Sequence, residues 1–349
     1  MASSKLSLLT VAISAASLLT AFPVQAADAP TVVQPAPLTQ DGRFFPGFGN
    51  EGFIIARFTI KADGTTDDVE LVSGFGYDNP FLERPITDTV SKWTYTPGTV
   101  NGQAADFLNQ EYIFRPKISE QLASSPDFQE EYAKLDEQVK AGESAAAIRR
   151  ANGSFKDHIH TVLDYAVTHY MLSRVYLQQN DPFAAYDEIR KTTMYSLNAA
   201  GEREYMLTPD LLEGALRQQL VLASGVHQEG EVLRTWALLD ELYDVPADDK
   251  IHGLVSAAQA KTESTDPLPA LAKIMDGEKL TTYRPVHRIF TVADVMGKLE
   301  SINARCEHRN LEIEFQDGVD WTLPPALGSC VLDFVGDDNT TFTIYEFKE

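Results

Sequence analysis

From residue 53 onward, apolar and polar positions alternate in the way that marks a half-buried β-strand. Over 53–60, Ile54, Ala56, Phe58 and Ile60 share one face. Ala62-Asp63-Gly64 predicts a hairpin turn, because glycine takes the left-handed backbone at no steric cost. A second strand follows with Val69 and Leu71 inward and Asp68 and Glu70 outward, and Gly74-Phe75-Gly76 ends it. The period then lengthens. Ile86, Thr89, Val90 and Trp93 fall on one side of a short helix over 85–92, with Pro85 tolerated in its first turn. After Pro97 and the Asn101-Gly102 turn, a third strand runs over 105–114 with Leu108, Tyr112 and Phe114 on one face. The order is β-β-α-β, a helix laid across a small antiparallel sheet.

From Ser124 the pattern becomes helical. Phe128, Tyr132 and Leu135 start an amphipathic run, and Ala145-Ala146-Ala147-Ile148 keeps helix-favouring composition. Leu172 and Tyr176, the turn Asn180-Asp181-Pro182, then Ala185 and Ile189 describe a helical hairpin. Leu216, Leu220 and Leu222, a turn at Gln228-Glu229-Gly230, then Val232, Trp236, Leu239 and Leu242 repeat it. These units resemble tetratricopeptide-type hairpins, although their turns lie about 48 residues apart against the usual ~34. A plain helical bundle is the alternative. Stacked hairpins imply a concave peptide- or protein-binding groove.

Beyond 280 the chain predicts a β-rich module. Thr291-x-x-Asp294 has the form of a capping box opening a helix with Val295, Met296, Leu299 and Ile302 as its apolar stripe. A strand over 311–315 turns at Gln316-Asp317-Gly318 into 319–323, where Pro324-Pro325 stops it. Segments 331–335 and 341–347 flank a turn at Gly336-Asp337-Asp338-Asn339 and form a second hairpin.

Lys5 followed by an apolar run over 6–22, with Val24-Gln25-Ala26 as a small-residue cleavage site, predicts a signal peptide over 1–26. An uncleaved anchor is the rival reading. Removing the segment would take the net charge from -22 to about -23. So acidic a surface disfavours nucleic acid and anionic membranes as partners. In an exported chain the only two cysteines, Cys306 and Cys330, predict a disulfide. His158, His160, Asp164 and His169 lack the spacing of a zinc motif, and Asp337-Asp338-Asn339 lacks that of a calcium loop. There is no GxSxG, lone nucleophilic cysteine or phosphate loop. No catalytic residues, metal or cofactor are therefore expected.

The front segment resembles the C-terminal domain of the TonB energy-transducer family. Phe45-Pro46, Glu51-Gly52, Arg57-Phe58-Thr59-Ile60, Asp63-Gly64, Val69, Leu71 and Ser73 carry the first half of the likeness. Trp93-x-Tyr95-x-Pro97, Asn101-Gly102 and Phe114 carry the second. The resemblance implies that the edge of the last strand adds an extended peptide from an outer-membrane receptor, with main-chain pairing supplying affinity. Phe107, Asn109, Glu111 and Ile113 then mark the candidate pairing edge. In place of the family's long Pro-rich arm the chain has only a short Pro-containing stretch, Pro30, Pro35 and Pro37, and the domain sits near the front of the chain.

The expected organisation is an α+β multidomain chain: signal 1–26, linker 27–39, TonB-C-like domain 40–117, TPR-like helical region 118–280 and a small disulfide-linked β module 281–349. The expected function is a non-catalytic periplasmic binding or scaffold protein with protein or peptide partners in the periplasm or outer membrane. Alternatives are a true energy transducer with a retained anchor, and an exported enzyme of unknown type.

Overall fold

The computed structural model describes residues 31–39, 51–76, 83–115, 123–197 and 202–349. The expected signal segment and Phe45-Pro46 lie outside the described residues. Among the described residues no helix is long and apolar enough to cross a membrane. The architecture is α+β: a small sheet carrying one helix, a run of helices, and two further four-stranded sheets.

In the front unit, β1 (Phe53–Ile60), β2 (Thr66–Phe75), α1 (Glu83–Val90) and β3 (Phe107–Phe114) form an antiparallel sheet of order β2-β1-β3. Gly64 makes the first turn at φ +85, where a Cβ would lie 2.1 Å from the Tyr95 carbonyl oxygen. Tyr95 N donates back to Gly64 O at 2.8 Å, so the turn is clipped to the aromatic segment. Ile54, Ala56, Phe58 and Ile60 are buried against Ile86, Val90 and Trp93. Trp93 meets Phe58 edge-on at 5.7 Å, Tyr112 edge-on at 4.9 Å, and stacks with Phe114 at 5.5 Å. It is the centre of this core, where large aromatics supply most of the buried area.

The opposite face of β1 is buried too. Phe53 and Ile55 join the helical core, with the Phe53 ring edge-on to Tyr165 at 5.3 Å. The third strand departs from simple alternation. Asn109 sits at φ 55 and the pairing register with β1 shifts between Phe58 and Ile60. The bulge changes sides along the strand, so Phe107, Tyr112 and Phe114 enter the core and Leu108 does not.

The helical middle contains α2 (Pro126–Lys140), α3 (Ser144–Asn152), α4 (Val162–Gln178), α5 (Pro182–Arg190), α6 (Pro209–Gly225), α7 (Glu229–Leu242) and α8 (Ile251–Glu263). Thr161 and Asp164 form a reciprocal capping box at the start of α4, and Asp181 caps α5 through Ala184 N. The α4–α5 and α6–α7 hairpins turn at Asn180 and His227, both in the left-handed region. Between them runs a two-stranded ribbon, β4 (Tyr195–Leu197) with β5 (Arg203–Tyr205). That ribbon accounts for the long spacing between the turns. Buried Glu51, just ahead of β1, accepts from Val162 N at 3.3 Å and holds the front sheet on the positive end of α4.

The C-terminal body is a sandwich of two sheets. One contains β6 (Leu268–Lys273), β8 (Ile289–Met296), β11 (Asp320–Thr322) and β13 (Thr341–Phe347), in the order β6-β13-β8-β11. The other contains β7 (Leu280–Tyr283), β9 (Leu299–Cys306), β10 (Leu311–Glu314) and β12 (Cys330–Gly336), in the order β7-β12-β9-β10. The first strand, Leu268–Lys273, begins ahead of the boundary expected at 281.

The helix expected at 291–302 does not form. Those residues are β8 and β9, joined at Gly297, with Asp294 in a left-handed bulge rather than a cap. Of the expected stripe, Leu299 and Ile302 enter the sandwich core from one sheet and Val295 packs against it from the other, while Met296 is exposed. Likewise 311–315 and 319–323, and 331–335 and 341–347, are not hairpins; each pair splits between the two sheets. A turn between two alternating runs has the same sequence pattern whether the chain pairs with itself or crosses the core.

Candidate functional site

β3 is one of the two edges of the front sheet, since only β1 pairs with it within that sheet. Its outer side is partly occupied by the chain itself. Leu108 N donates to Glu307 O at 2.6 Å, just past the end of β9. Asn109 Nδ2 donates to Cys306 O at 2.8 Å and to Asn310 Oδ1 at 2.7 Å. Near the other end, the Tyr112 hydroxyl donates to Leu197 O in β4 at 3.1 Å. Between these two anchor points, Gln110 and Glu111 border an open cleft of about 390 Å³.

The four residues marked in the sequence have different surroundings. Phe107 is fully buried, its ring edge-on to His308 at 4.9 Å, and belongs to the core. Asn109 forms the bulge and the bridge to the sandwich. Glu111 stands directly opposite Arg57, which in turn stands opposite Glu70; the two ion pairs measure 2.9 and 2.8 Å. Ile113 is half-buried against the helical core and borders a second hollow of about 460 Å³.

Arginines from distant segments complete the cleft. Arg190 ends α5, Arg284 follows β7, and Arg305 lies on β9. Arg305 is held by Asp333, with Nε and Nη2 at 2.5 and 3.0 Å from the carboxylate, and its Nη1 lies 3.8 Å from Glu111. No local motif announces these residues. They are far apart in the chain and meet only through packing.

The disulfide forms as the cysteine count predicts. Cys306 and Cys330 are directly opposed partners of β9 and β12, with Cα atoms 4.0 Å apart. His158 and His160 both contact Asp127 Oδ2, at 3.3 and 2.9 Å, while His169 pairs with Glu188. The hydrogen bond from His160 leads the interactions that hold the Asp127 carboxyl well below its ordinary range. Among the described residues no group of three or more His, Cys, Asp or Glu is arranged to hold a metal ion.

Residues 48–115 match the family described as the Gram-negative bacterial TonB protein C-terminal. The matched stretch runs from just ahead of β1 to the end of β3, and so contains the ββαβ unit and its edge. It identifies this unit as a TonB C-terminal domain and links the chain to protein interaction in the Gram-negative envelope. A comparison with curated proteins finds no match.

Proposed function

We propose that this chain is a non-catalytic binding or scaffold protein of the Gram-negative periplasm, exported by a signal cleaved after Ala26. Its TonB C-terminal domain would recruit an extended peptide from an envelope or outer-membrane partner. The helical hairpins, read as TPR-like, and the sandwich would form the body that presents it. The observation that carries this reading is the middle of β3, where an unpaired strand edge fronts an open cleft at Gln110 and Glu111. Unpaired edges of this kind accept a further strand by main-chain hydrogen bonding. Pairing would start there and lengthen by displacing the Leu108–Glu307 bond.

The test is a pull-down from periplasm and outer membrane with the full mature chain, comparing wild type with Gln110→Pro and Glu111→Pro. Successive amides of a strand point to opposite sides, so one of the two prolines falls on the outer edge and spares the sheet. The variant that melts like wild type should lose the partners that wild type recovers. Equal recovery by that variant, or no specific recovery by wild type, would overturn the proposal. Sequencing the mature N-terminus tests the cleavage; a chain starting at Met1 would favour a retained anchor.

A further inference from the structure

Although the chain has a net charge of -22, its three bodies meet around arginines. Arg284 borders four adjoining hollows, and Arg190 shares two of them. Neither guanidinium has a hydrogen-bond or ion-pair partner among the described residues; Arg190 lies only over the Tyr186 ring, 5.6 Å from its centre. Arg288 donates to the carbonyls of Pro324 and Gly328, at 3.4 and 3.2 Å, which leaves its charge uncompensated.

The neighbouring carboxylates already have cations. Glu111 is paired with Arg57, Asp187 with Lys191 and Glu231 with Arg234, at 2.8 to 2.9 Å. Glu307 is used differently, accepting from Gln34 Nε2. Among the described residues Arg190 and Arg284 therefore have no direct carboxylate contact, and only the longer-range attraction of Glu231, and for Arg190 of Asp187, offsets their charge.

Arg284 is also held in place. The buried Glu346 carboxylate accepts from Val286 N at 2.6 Å and His287 N at 2.5 Å, fixing the loop that follows it. Arg234 Nη2 donates to Arg284 O at 3.2 Å, and Val286 sits so close to Gly230 that a Cβ there would approach it to 2.7 Å. The backbone is locked while the side chain stays exposed. The fixed backbone keeps the root of the Arg284 side chain at the hollows, and the planar fork of a guanidinium fits a carboxylate with two parallel hydrogen bonds.

We infer that this arginine-lined junction is a carboxylate-binding site for an acidic peptide segment lying along β3. The hollows of about 390 and 460 Å³ together follow the stretch from Leu108 to Ile113, the first as far as Glu111 and the second from Glu111 onward. Apolar Leu108, Val331 and Ile113 alternate with the charges, which suits an extended chain better than a lone inorganic anion. The overall negative field repels polyanions at long range, so the ligand is a short segment with one or two acidic groups. The inference rests on the edge-pairing reading and adds the chemistry of its partner.

The test is calorimetric titration of the full mature chain with two blocked eight-residue peptides of alternating valine and threonine. One carries glutamate at two central threonine positions and its twin carries glutamine. The glutamate peptide should bind roughly tenfold tighter, and raising the salt should weaken it selectively. Arg284→Gln should narrow the difference, and the double variant Arg190→Gln/Arg284→Gln should abolish it. The Arg284 side chain makes no direct polar contact among the described residues, so Arg284→Gln should melt like wild type. Arg190 also loses its place over the Tyr186 ring, so the double variant should melt somewhat lower and is titrated well below its own melting temperature. Equal affinity for the twins, binding of neither, or an unchanged preference in the double variant would overturn the carboxylate site. Inorganic phosphate that displaces the glutamate peptide at equal concentration would reassign the site to a free anion. If the folded proline variant keeps the glutamate preference, the arginine site stands and the edge-pairing reading falls.

Discussion

Leu108 N donates to Glu307 O at 2.6 Å, so the front sheet's edge strand is bonded to the C-terminal sandwich across most of the sequence. Beside it, Asn109 supplies both a left-handed residue, at φ 55, and two side-chain bonds to the sandwich. These contributions can be separated. Asn109→Gly keeps the backbone freedom and loses the bonds; Asn109→Ala loses both. Alanine should be the more destabilising by about 1 kcal/mol, the cost of a left-handed conformation for a residue with a Cβ. Urea denaturation of the two variants measures the difference, and equal midpoints would show that the bulge relaxes.

Reducing the Cys306–Cys330 bridge should act on the same edge. The bond closes a loop with a sequence separation of 24, and its loss should cost about 3 kcal/mol. Cys306 O is also an acceptor for Asn109 Nδ2, so a loosened β9 end should expose the β3 amides. Hydrogen exchange with and without reductant should show faster exchange at Leu108 as well as in the sandwich. A change confined to β9 and β12 would show that the edge contact does not depend on the bridge.

The front unit was legible because its signals are local: alternation in β1, glycine at the turn, and helical spacing from Ile86 to Trp93. The alternation of β3 misled at one residue, since nothing nearby shows that Asn109 will adopt φ 55 and move Leu108 out of the core. The sandwich was harder to read. Thr291 and Asp294 have the composition of a helix cap, and the sheet pairing that overrides it involves Thr343 and Tyr345, some fifty residues later. Arg190, Arg284 and Arg305 were illegible as a group because their proximity is wholly tertiary. A net charge of -22 also gives no hint of a local excess of positive charge.

Buried Glu346 sets a pH dependence with an identifiable sign. Burial raises its carboxyl above the ordinary glutamate value, against the bonds from Tyr283, His287 and Val286 that pull it down. A carboxyl raised in the folded state binds a proton that the unfolded chain has released. Its contribution is most favourable below its unfolded pKa, near 4.5, and is lost as the pH rises through the folded value. Glu346→Gln removes that titration while still offering an oxygen to the Val286 and His287 amides. Denaturation midpoints measured upward from pH 4.5 should fall less steeply in the variant than in wild type. Parallel curves would assign the slope to other groups.

Gly98 and Phe107 offer the sharpest test of packing in the TonB C-terminal domain. A Cβ on Gly98 would lie 2.2 Å from Phe107 Cε2 and 2.8 Å from two further ring atoms. Phe107 is fully buried, so its ring has no solvent-side space into which to retreat. Gly98→Ala should therefore destabilise the domain by about 2 kcal/mol through overpacking. Phe107→Leu on its own should also destabilise, by removing ring volume from a filled core. Combined, the two substitutions compensate, because the smaller side chain makes room for the added methyl. The double variant should be more stable than the sum of the single effects allows, with a coupling of at least ~0.5 kcal/mol from a double-mutant cycle. Strict additivity would mean that the Phe107 ring is not what the added methyl displaces.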